Sequence, residues 1–389
     1  MISLGIAGKP NCGKSTFFKA STMAHAEIAN YPFTTIDANH GIAYVRTQCP
    51  CRELGIKCGS CQDGVRFVQI GMIDVAGLVP DAHRGRGLGN QFLDHLREAD
   101  AIIHVVDASG GTDAEGNPVP VGSHDPAGDI VFLRREMTMW LHGILEKHWS
   151  KLQRQAQSSG FSMSRGLADA LAGLGIRVEH VKEAERAVEA PLHRLSGDAL
   201  VSFAGRLLDL SKPMLVVANK IDAAPKDLVL RLLQQGAIGA SAAAELALRN
   251  AAAAGLIRYL PGDTDFYILK PDALNDAQKA GLGRISALMK EHGGTGVQPA
   301  INRAVLDLLD QVIVYPVEDE HKFSDRNGKV LPDAFLMRRG STPRDLAYRV
   351  HSDIGEGFLY AVDARTRMRV KDTYQLRTGD IIKIVSTAK

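Results

Sequence analysis

The chain has 389 residues, more than one ordinary hydrophobic core holds, so we expect two or three domains. Its 46 basic and 44 acidic side chains nearly cancel, which excludes a global field that would attract nucleic acid or a membrane. No apolar run approaches the roughly 20 residues that span a bilayer, and no signal-peptide pattern precedes the first motif. We therefore expect a cytoplasmic protein with no membrane partner.

The N-terminal segment carries the strongest motif of the chain. The apolar run from Ile2 to Ala7 predicts a buried parallel strand, and a helix is predicted from Phe17 onward. Between them lies G-x-x-x-x-G-K-S, a phosphate-binding loop (P-loop) in the strand–loop–helix context that it requires. Its glycines let backbone N–H groups surround a phosphate, Lys14 reaches the β- and γ-phosphates, and Ser15 ligates Mg²⁺. The expected nucleotide contacts here are Gly8, Pro10, Asn11, Cys12, Gly13, Lys14, Ser15 and Thr16.

Two later segments match the switch regions of a P-loop GTPase. The loop at 30–36 offers Thr35, ahead of Thr34, as a ligand that binds Mg²⁺ only while the γ-phosphate is present. The expected strand Val65 to Asp74 ends in D-x-x-G, which places Asp74 near Mg²⁺ and the N–H of Gly77 near the γ-phosphate. Leu78 stands where many GTPases carry a water-orienting Gln. The glycine-rich segment 85–91 is suited to a second switch.

Four of the five cysteines cluster between two predicted strands, as C-x-C followed by C-x₂-C. The cluster consists of Cys49, Cys51, Cys58 and Cys61. On the arms of a tight hairpin, with turns at Gly55 and Gly59, they match a closed Cys₄ zinc site of structural type. A redox C-x-x-C is the rival interpretation, but it leaves the first pair unexplained. A reducing compartment also favours metal over disulfides.

Base recognition is indicated in the second half of the chain. The buried strand Pro213 to Ala218 ends in N-K-x-D. In this motif, Asn219 is expected to contact the base edge and the P-loop, and Lys220 to pack on the ring. The Asp222 carboxylate is expected to accept from guanine N1–H and the N2 amine. Adenine lacks this pair of donors, so Asp222 favours GTP and GDP. A short strand then ends in Ser241 and Ala242, which can offer a backbone N–H to guanine O6.

The pattern defines three regions. We expect an α/β fold: a doubly wound P-loop G domain at 1–129 and 206–311, with the zinc hairpin at 48–64 inserted in it. A helical insertion occupies 130–205, and a β-grasp module of short strands around one helix (Thr342 to His351) occupies 312–389. That module carries an Arg surplus, which is either a solvated face or a patch for RNA phosphates. The surplus includes Arg338, Arg339, Arg344, Arg365, Arg367 and Arg369.

Together these motifs resemble the Obg family of P-loop GTPases, in particular the branch of the YchF-type (Obg-like ATPase) proteins. The resemblance rests on the P-loop, N-Y-P-F-T-T at 30–35, D-V-A-G-L at 74–78, G-R-G-L-G-N-Q-F-L at 85–93 and the C-terminal run from Tyr315. It implies a C-terminal TGS domain and a role on ribosomes or in translation. The hydrophobic Leu78 fits the family.

The chain departs from that branch in two ways. Members that prefer ATP have lost the Asp of N-K-x-D, whereas Asp222 is intact, so the resemblance implies GTP. The four-cysteine hairpin is similar to an archaeal side branch rather than to bacterial or eukaryotic members. Asn11 matches the P-loop Asn that helps to bind K⁺ in potassium-stimulated relatives, which implies a catalytic role for it beside Lys14 and Gly77.

Two functions remain open on this basis. The first is a GTPase switch that uses Mg²⁺ and K⁺. The second is a guanine-nucleotide-gated scaffold for RNA or the ribosome with negligible hydrolysis, which Leu78 favours. A P-loop kinase is disfavoured, because kinases have no use for N-K-x-D.

Overall fold

The computed structural model describes residues 1–22, 39–75, 95, 97–157, 160–188 and 190–387. The chain forms two compact units. The first comprises Met1–Ala43 and Ile70–Ala304, and the second comprises Tyr44–Gln69 and Val305–Lys389. The Cys₄ hairpin thus groups with the C-terminal module. Across the described residues, no helix is both long and apolar enough to cross a membrane.

The first sheet has six strands in the order β2-β3-β1-β4-β5-β6. They are β1 (Ser3–Ala7), β2 (His40–Gln48), β3 (Val65–Asp74), β4 (Ala101–Asp107), β5 (Met214–Asn219) and β6 (Ile238–Ala240). Strand β1 pairs in parallel with β3 and β4, and β5 pairs in parallel with β4 and β6. Parallel strands carry their carboxyl ends to one edge, where α/β folds bind ligands.

The described helices follow the order expected for an α/β chain with a helical insertion. They are α1 (Lys14–Thr22), α2 (Pro50–Glu53), α3 (Pro126–Gln155), α4 (Met163–Ala170), α5 (Val178–Arg186), α6 (Gly197–Ser211), α7 (Lys226–Gln234), α8 (Ala242–Ala253), α9 (Asp276–His292), α10 (Val297–Asn302), α11 (Pro343–Val350) and α12 (Ser352–Glu356). A wider, π-type turn at Arg303–Leu308 follows α10. Short strands β7 (Ile257–Arg258) and β8 (Tyr267–Ile268) pair antiparallel.

Helices α3 to α6 form the helical insertion around a common apolar core. Helix α3 begins at Pro126, because the Asp125 side chain accepts from the Ala127 N–H and Pro126 needs no N–H partner at this position. The sequence pattern alone indicates a later start, at Ile130. Trp149 is buried in the core, with its ring 6.1 Å from that of Phe203 and its Nε1–H donated to Leu195 O at 3.0 Å.

The C-terminal sheet has five strands in the order β10-β9-β13-β11-β12. They are β9 (Gln311–Val317), β10 (Phe335–Arg338), β11 (Phe358–Asp363), β12 (Met368–Val370) and β13 (Ile381–Ser386). Strands β9 and β13 are parallel, and the other pairs are antiparallel. Helix α11 buries Leu346 and Ala347 in the core of this sheet. A mixed sheet packed against α11 is the expected β-grasp arrangement, whereas the short helix α12 that follows was not predicted from the sequence.

Candidate functional site

The P-loop turns tightly between β1 and α1. Gly13 has a φ of 98°, and a Cβ there would lie 2.2 Å from Asn219 Nδ2, so both backbone conformation and space require glycine. The Lys14 ammonium donates to Lys9 O at 2.7 Å, across the mouth of the loop. A phosphate in the loop would compete for this ammonium, which is the group expected to bind the β- and γ-phosphates.

The hydroxyl of Ser15 and the carboxylate of Asp74 meet beside the P-loop. Ser15 Oγ donates to Asp74 Oδ2 at 3.1 Å, and thereby joins the first turn of α1 to the end of β3. Burial raises the pKa of Asp74, while the Ser15 hydrogen bond and the Lys14 charge oppose that rise. Hydroxyl and carboxylate oxygens are the hard ligands that Mg²⁺ prefers, so this pair fits the ion expected there.

Several expected site residues lie outside the described residues. They are Thr34, Thr35, Gly77, Leu78 and the segment 85–91.

Residues of the N-K-x-D motif are hydrogen-bonded to the P-loop. Asn219 Nδ2 donates to Cys12 O at 3.0 Å. The Lys220 ammonium donates to Asn11 O at 2.8 Å. The strand β5 therefore holds the P-loop backbone and the base-recognition residues in one connected network, whereas the exposed Asp222 carboxylate stays available at its edge.

The loop that starts α8 closes this network. Ser241 is buried and caps α8 by accepting from the Ala244 N–H at 3.2 Å. The Ala242 N–H, which the sequence assigns to guanine O6, donates to Asn219 Oδ1 at 3.0 Å. The structure thus brings Ser241 and Ala242 to Asn219, and a bound base would have to share the Ala242 N–H with the Asn219 side chain.

Asp107 is a site residue that the sequence reasoning missed. It ends β4, is fully buried, and accepts from Lys220 Nζ at 2.9 Å, Ser109 Oγ at 2.5 Å and Thr112 Oγ1 at 2.9 Å. Burial raises its pKa, but the hydrogen bonds from Ser109, Lys220 and Thr112 outweigh burial, so its net pKa is lowered. An Asp at the end of a fully buried strand was the available signal.

Glu245 is a second buried carboxylate behind the base-recognition loop. It is fully buried and accepts from Arg249 Nε at 2.7 Å, from the Tyr259 hydroxyl at 2.6 Å and from the Thr295 hydroxyl. Thr295 O in turn accepts from the Ser241 N–H at 2.9 Å. Glu245 therefore positions the Ser241 loop through Thr295, and nothing in the local sequence indicates these partners.

The P-loop is also tied to the start of the helical insertion. The buried Lys9 ammonium lies 2.7 Å from Asp129 Oδ2 in α3 and donates to Thr112 O at 2.8 Å. His124 Nε2 lies 2.9 Å from the other oxygen of Asp129. These contacts link Lys9 of the P-loop to Asp129 in the first turn of α3.

The four cysteines of the hairpin come together in the second unit. Cys49 and Cys58 Sγ are 3.7 Å apart, Cys51 and Cys61 Sγ are 3.5 Å apart, and all four lie within 4.8 Å of one another. A tetrahedral zinc ion with sulfur ligands at about 2.3 Å holds them about 3.8 Å apart. The donor set and its spacing therefore fit zinc.

The local backbone explains how the thiols converge. The Gly55 and Gly59 φ angles are 66° and 67°, so the two expected turns use the left-handed region. A short helix, α2, replaces one extended arm of the expected hairpin. The Ser60 N–H donates to Cys58 Sγ at 3.4 Å; burial raises the pKa of Cys58, but this bond and bonds from neighbouring thiols outweigh burial and lower it.

Three family models match separate parts of the chain. A model described as 50S ribosome-binding GTPase matches residues 3–123, and one described as Obg-like GTPase YGR210-like, G4 motif-containing domain, matches residues 217–319. A TGS domain model matches residues 326–386. The expected P-loop G domain with a C-terminal TGS domain is confirmed.

Comparison with individual proteins also indicates a GTP-binding protein related to YchF. The uncharacterized GTP-binding protein MJ1332 of the archaeon Methanocaldococcus jannaschii is 49% identical over 398 residues, 100% of both chains. A crystal structure of a GTP-binding protein from Pyrococcus horikoshii is 41% identical, with a TM-score of 0.79 over 99% of this chain and 100% of that one. The ribosome-binding ATPase YchF of Bacillus subtilis is 40% identical over 160 residues, 40% of this chain and 41% of its own.

Proposed function

The chain belongs to the Obg-like, YchF-type GTPases, and from this we propose that it is a switch that binds GTP and hydrolyses it to GDP and phosphate. The observation that carries the proposal is the connected network of Asn219, Lys220 and the P-loop backbone. This network supports the proposal because its hydrogen bonds join the P-loop backbone to the N-K-x-D motif.

Base selectivity is assigned to Asp222. Its carboxylate can accept from guanine N1–H and N2 amine, whereas adenine presents no such donor pair to it. The proposal therefore assigns GTP and GDP to this chain, in contrast to the relatives named as ATPases. The aliphatic part of the Lys220 side chain packs on the guanine ring. The Lys220 ammonium donates to Asp107 Oδ2 at 2.9 Å, which holds the side chain in position.

Mg²⁺ is the proposed cofactor of hydrolysis. Ser15 and Asp74 would hold it, with Thr35 as the proposed third protein ligand. When bound, the ion neutralises charge on the β- and γ-phosphate oxygens. Lys14 leaves the Lys9 carbonyl to bind the same phosphates, and the Gly77 N–H contacts the γ-phosphate. No proton transfer is assigned to these residues.

Asn11 is proposed to bind a monovalent cation beside the phosphates. The residue is exposed and has a φ of 59°, and its Nδ2 donates to Gly116 O at 3.0 Å. Within the described residues its Oδ1 accepts no hydrogen bond, so this oxygen is available as a ligand. A K⁺ ion held there would offset charge that shifts toward the leaving group.

We expect GTP hydrolysis to be slow with Na⁺, below about 10⁻² s⁻¹, because Leu78 cannot orient water. Replacing Na⁺ by K⁺ should speed single-turnover hydrolysis severalfold or more. Asn11→Ala should abolish the difference while GTP stays bound. Asn250→Ala, which removes an exposed amide on α8, is the matched control and should keep the full K⁺ response.

Equal turnover in K⁺ and Na⁺ would show that the cation role assigned to Asn11 is wrong. If no phosphate is released with either cation, and none with ribosomes added, the chain is the nucleotide-gated scaffold instead. Leu78 is the observation that favours this second function.

The proposed partner is the ribosome or its RNA, bound through the TGS domain in the cytoplasm. The support is the name of the YchF relatives and the description of the matching G-domain model. Of the six arginines named above, Arg339 and Arg365 pair with Asp310 and Glu53, and Arg344 and Arg369 stack on Phe358 and Tyr360. Arg338 and Arg367 are exposed and make no ion pair within the described residues, so a phosphate patch would centre on them.

Co-sedimentation with ribosomes should depend on the nucleotide. We expect more chain in the ribosomal pellet with a non-hydrolysable GTP analogue than with GDP, because a switch must bind its partner differently in its two states. Arg338→Ala combined with Arg367→Ala should lower both amounts. Identical pelleting with the analogue, with GDP and without nucleotide would contradict a nucleotide-controlled ribosome partner.

A further inference from the structure

The Cys₄ hairpin is fastened to the C-terminal module by one buried arginine. Arg66 in β3 is 5% exposed. Its Nη1 donates to Ser60 O, between the last two cysteines, and to Leu331 O, both at 3.1 Å. Its Nη2 donates to Pro332 O at 2.9 Å. The guanidinium therefore joins the cysteine loop to a segment of the C-terminal module.

No carboxylate forms an ion pair with Arg66 within the described ranges, and its three partners are neutral carbonyls. A buried cation without a counter-charge is costly. Four thiolates on one divalent ion carry a net charge of −2. A metal-loaded cysteine cluster would supply the negative charge that Arg66 otherwise lacks.

Tyr315 is a second buried polar group of the same unit. It lies in β9, is 1% exposed, and its hydroxyl has no hydrogen-bond partner within the described residues. Burial raises its pKa, the charge of Cys49 raises it further, and the charge of Arg66 lowers it. A phenol O–H needs an acceptor, and a metal-bound thiolate is one.

Building on the zinc site expected from the sequence, we propose that Arg66 and Tyr315 form the outer shell of that site. Arg66 balances the charge of the metal–thiolate group, and the Tyr315 hydroxyl donates to one of its thiolates. Metal uptake thereby fastens the cysteine hairpin to the C-terminal sheet. Outer-shell partners of this kind commonly change metal affinity by about 10- to 100-fold.

The test measures Zn²⁺ affinity of the full chain by competition with a chromophoric chelator. Tyr315→Phe keeps the ring and removes only the hydroxyl, so we expect Zn²⁺ affinity to fall about 10- to 100-fold. The metal-free variant should be at least as thermostable as the metal-free wild type, because the removed hydroxyl had no partner. When Co²⁺ replaces Zn²⁺, the sulfur-to-metal charge-transfer band of Tyr315→Phe should be shifted relative to that of the wild type.

Tyr374→Phe is the matched control, since the Tyr374 hydroxyl donates to Asp380 Oδ2 at 2.9 Å in the same module. It should lower thermostability and leave Zn²⁺ affinity unchanged. Hydrogen exchange gives an independent readout. The Leu331 N–H donates to Phe323 O at 2.8 Å. In the wild type, this N–H should exchange faster after Zn²⁺ is removed by a chelator. In Arg66→Met, it should exchange at the fast rate whether or not Zn²⁺ is bound.

The outcomes distinguish the outer shell from the zinc site itself. A wild type that binds Zn²⁺ tightly while Tyr315→Phe and Arg66→Met bind it equally well would overturn the outer shell and leave the zinc site intact. A wild type that takes up no Zn²⁺ after reduction would overturn both.

Discussion

Asp222→Asn should reduce GTP affinity by about 30- to 5,000-fold, with ATP affinity unchanged. The variant loses a charged acceptor for two guanine donors, a loss of roughly 2–5 kcal/mol, and each 1.4 kcal/mol is a factor of about ten. Competition titrations of labelled GDP with GTP and ATP measure both affinities. In the wild type, GTP should bind far more tightly than ATP.

Two further measurements isolate the carboxylate. Xanthosine triphosphate carries a C2 carbonyl where guanine carries the amine, and the side-chain amide of Asp222→Asn can donate to that carbonyl. The variant should therefore bind xanthosine triphosphate more tightly than the wild type does. Asp227→Asn removes the same charge from an exposed position in the first turn of α7 and should leave both GTP and ATP affinities unchanged. Equal wild-type affinities for ATP and GTP would refute guanine recognition by Asp222.

The strands of the G domain can be predicted closely from sequence. The structure has β3 at Val65–Asp74, the limits expected from the sequence, and β5 at Met214–Asn219, one residue from the expected strand Pro213 to Ala218. Central parallel strands are covered on both faces, so their apolar runs are continuous and end where polar site residues begin. This is why the sequence alone places Asp74 and Asn219 at strand ends.

The C-terminal module is harder to delimit. Its apolar pattern predicts a strand over Val330 to Arg338, but β10 covers only Phe335–Arg338. Pro332 cannot donate to a strand partner, and the Leu331 and Pro332 carbonyls accept from Arg66 instead. The helix expected over Ala300 to Gln311 likewise ends early, because Gln311 starts β9.

The supporting residues of the site could not be predicted, because their partners are distant in sequence. Lys9 meets Asp129, and Glu245 meets Thr295 only after the chain has folded. A motif specifies the groups that contact a ligand, but it does not specify the carboxylates that hold those groups in position. The same holds for Arg66, since two of its three partner carbonyls, those of Leu331 and Pro332, lie 265 and 266 residues further on in the chain.

Cys58→Ser combined with Cys61→Ser should abolish zinc binding and destabilise the second unit selectively. We expect the purified wild-type chain to hold about one zinc that survives mild chelation, because structural zinc binds with an apparent free energy of about 10–16 kcal/mol at pH 7. Removing two of the four ligands eliminates most of this binding free energy. Metal analysis gives the zinc content, and thermal unfolding should show an earlier transition for the hairpin and the C-terminal module.

Cys12→Ser provides the crossed control, since it removes the fifth cysteine, which lies buried in the P-loop. It should leave zinc content unchanged, whereas the double variant should leave GTP binding largely unchanged. The crossed result follows because the thiols of Cys49, Cys51, Cys58 and Cys61 belong to a different unit from the P-loop. Two disulfides and no metal in freshly reduced wild-type protein would contradict a zinc site, and the Arg66 guanidinium would then lack its counter-charge.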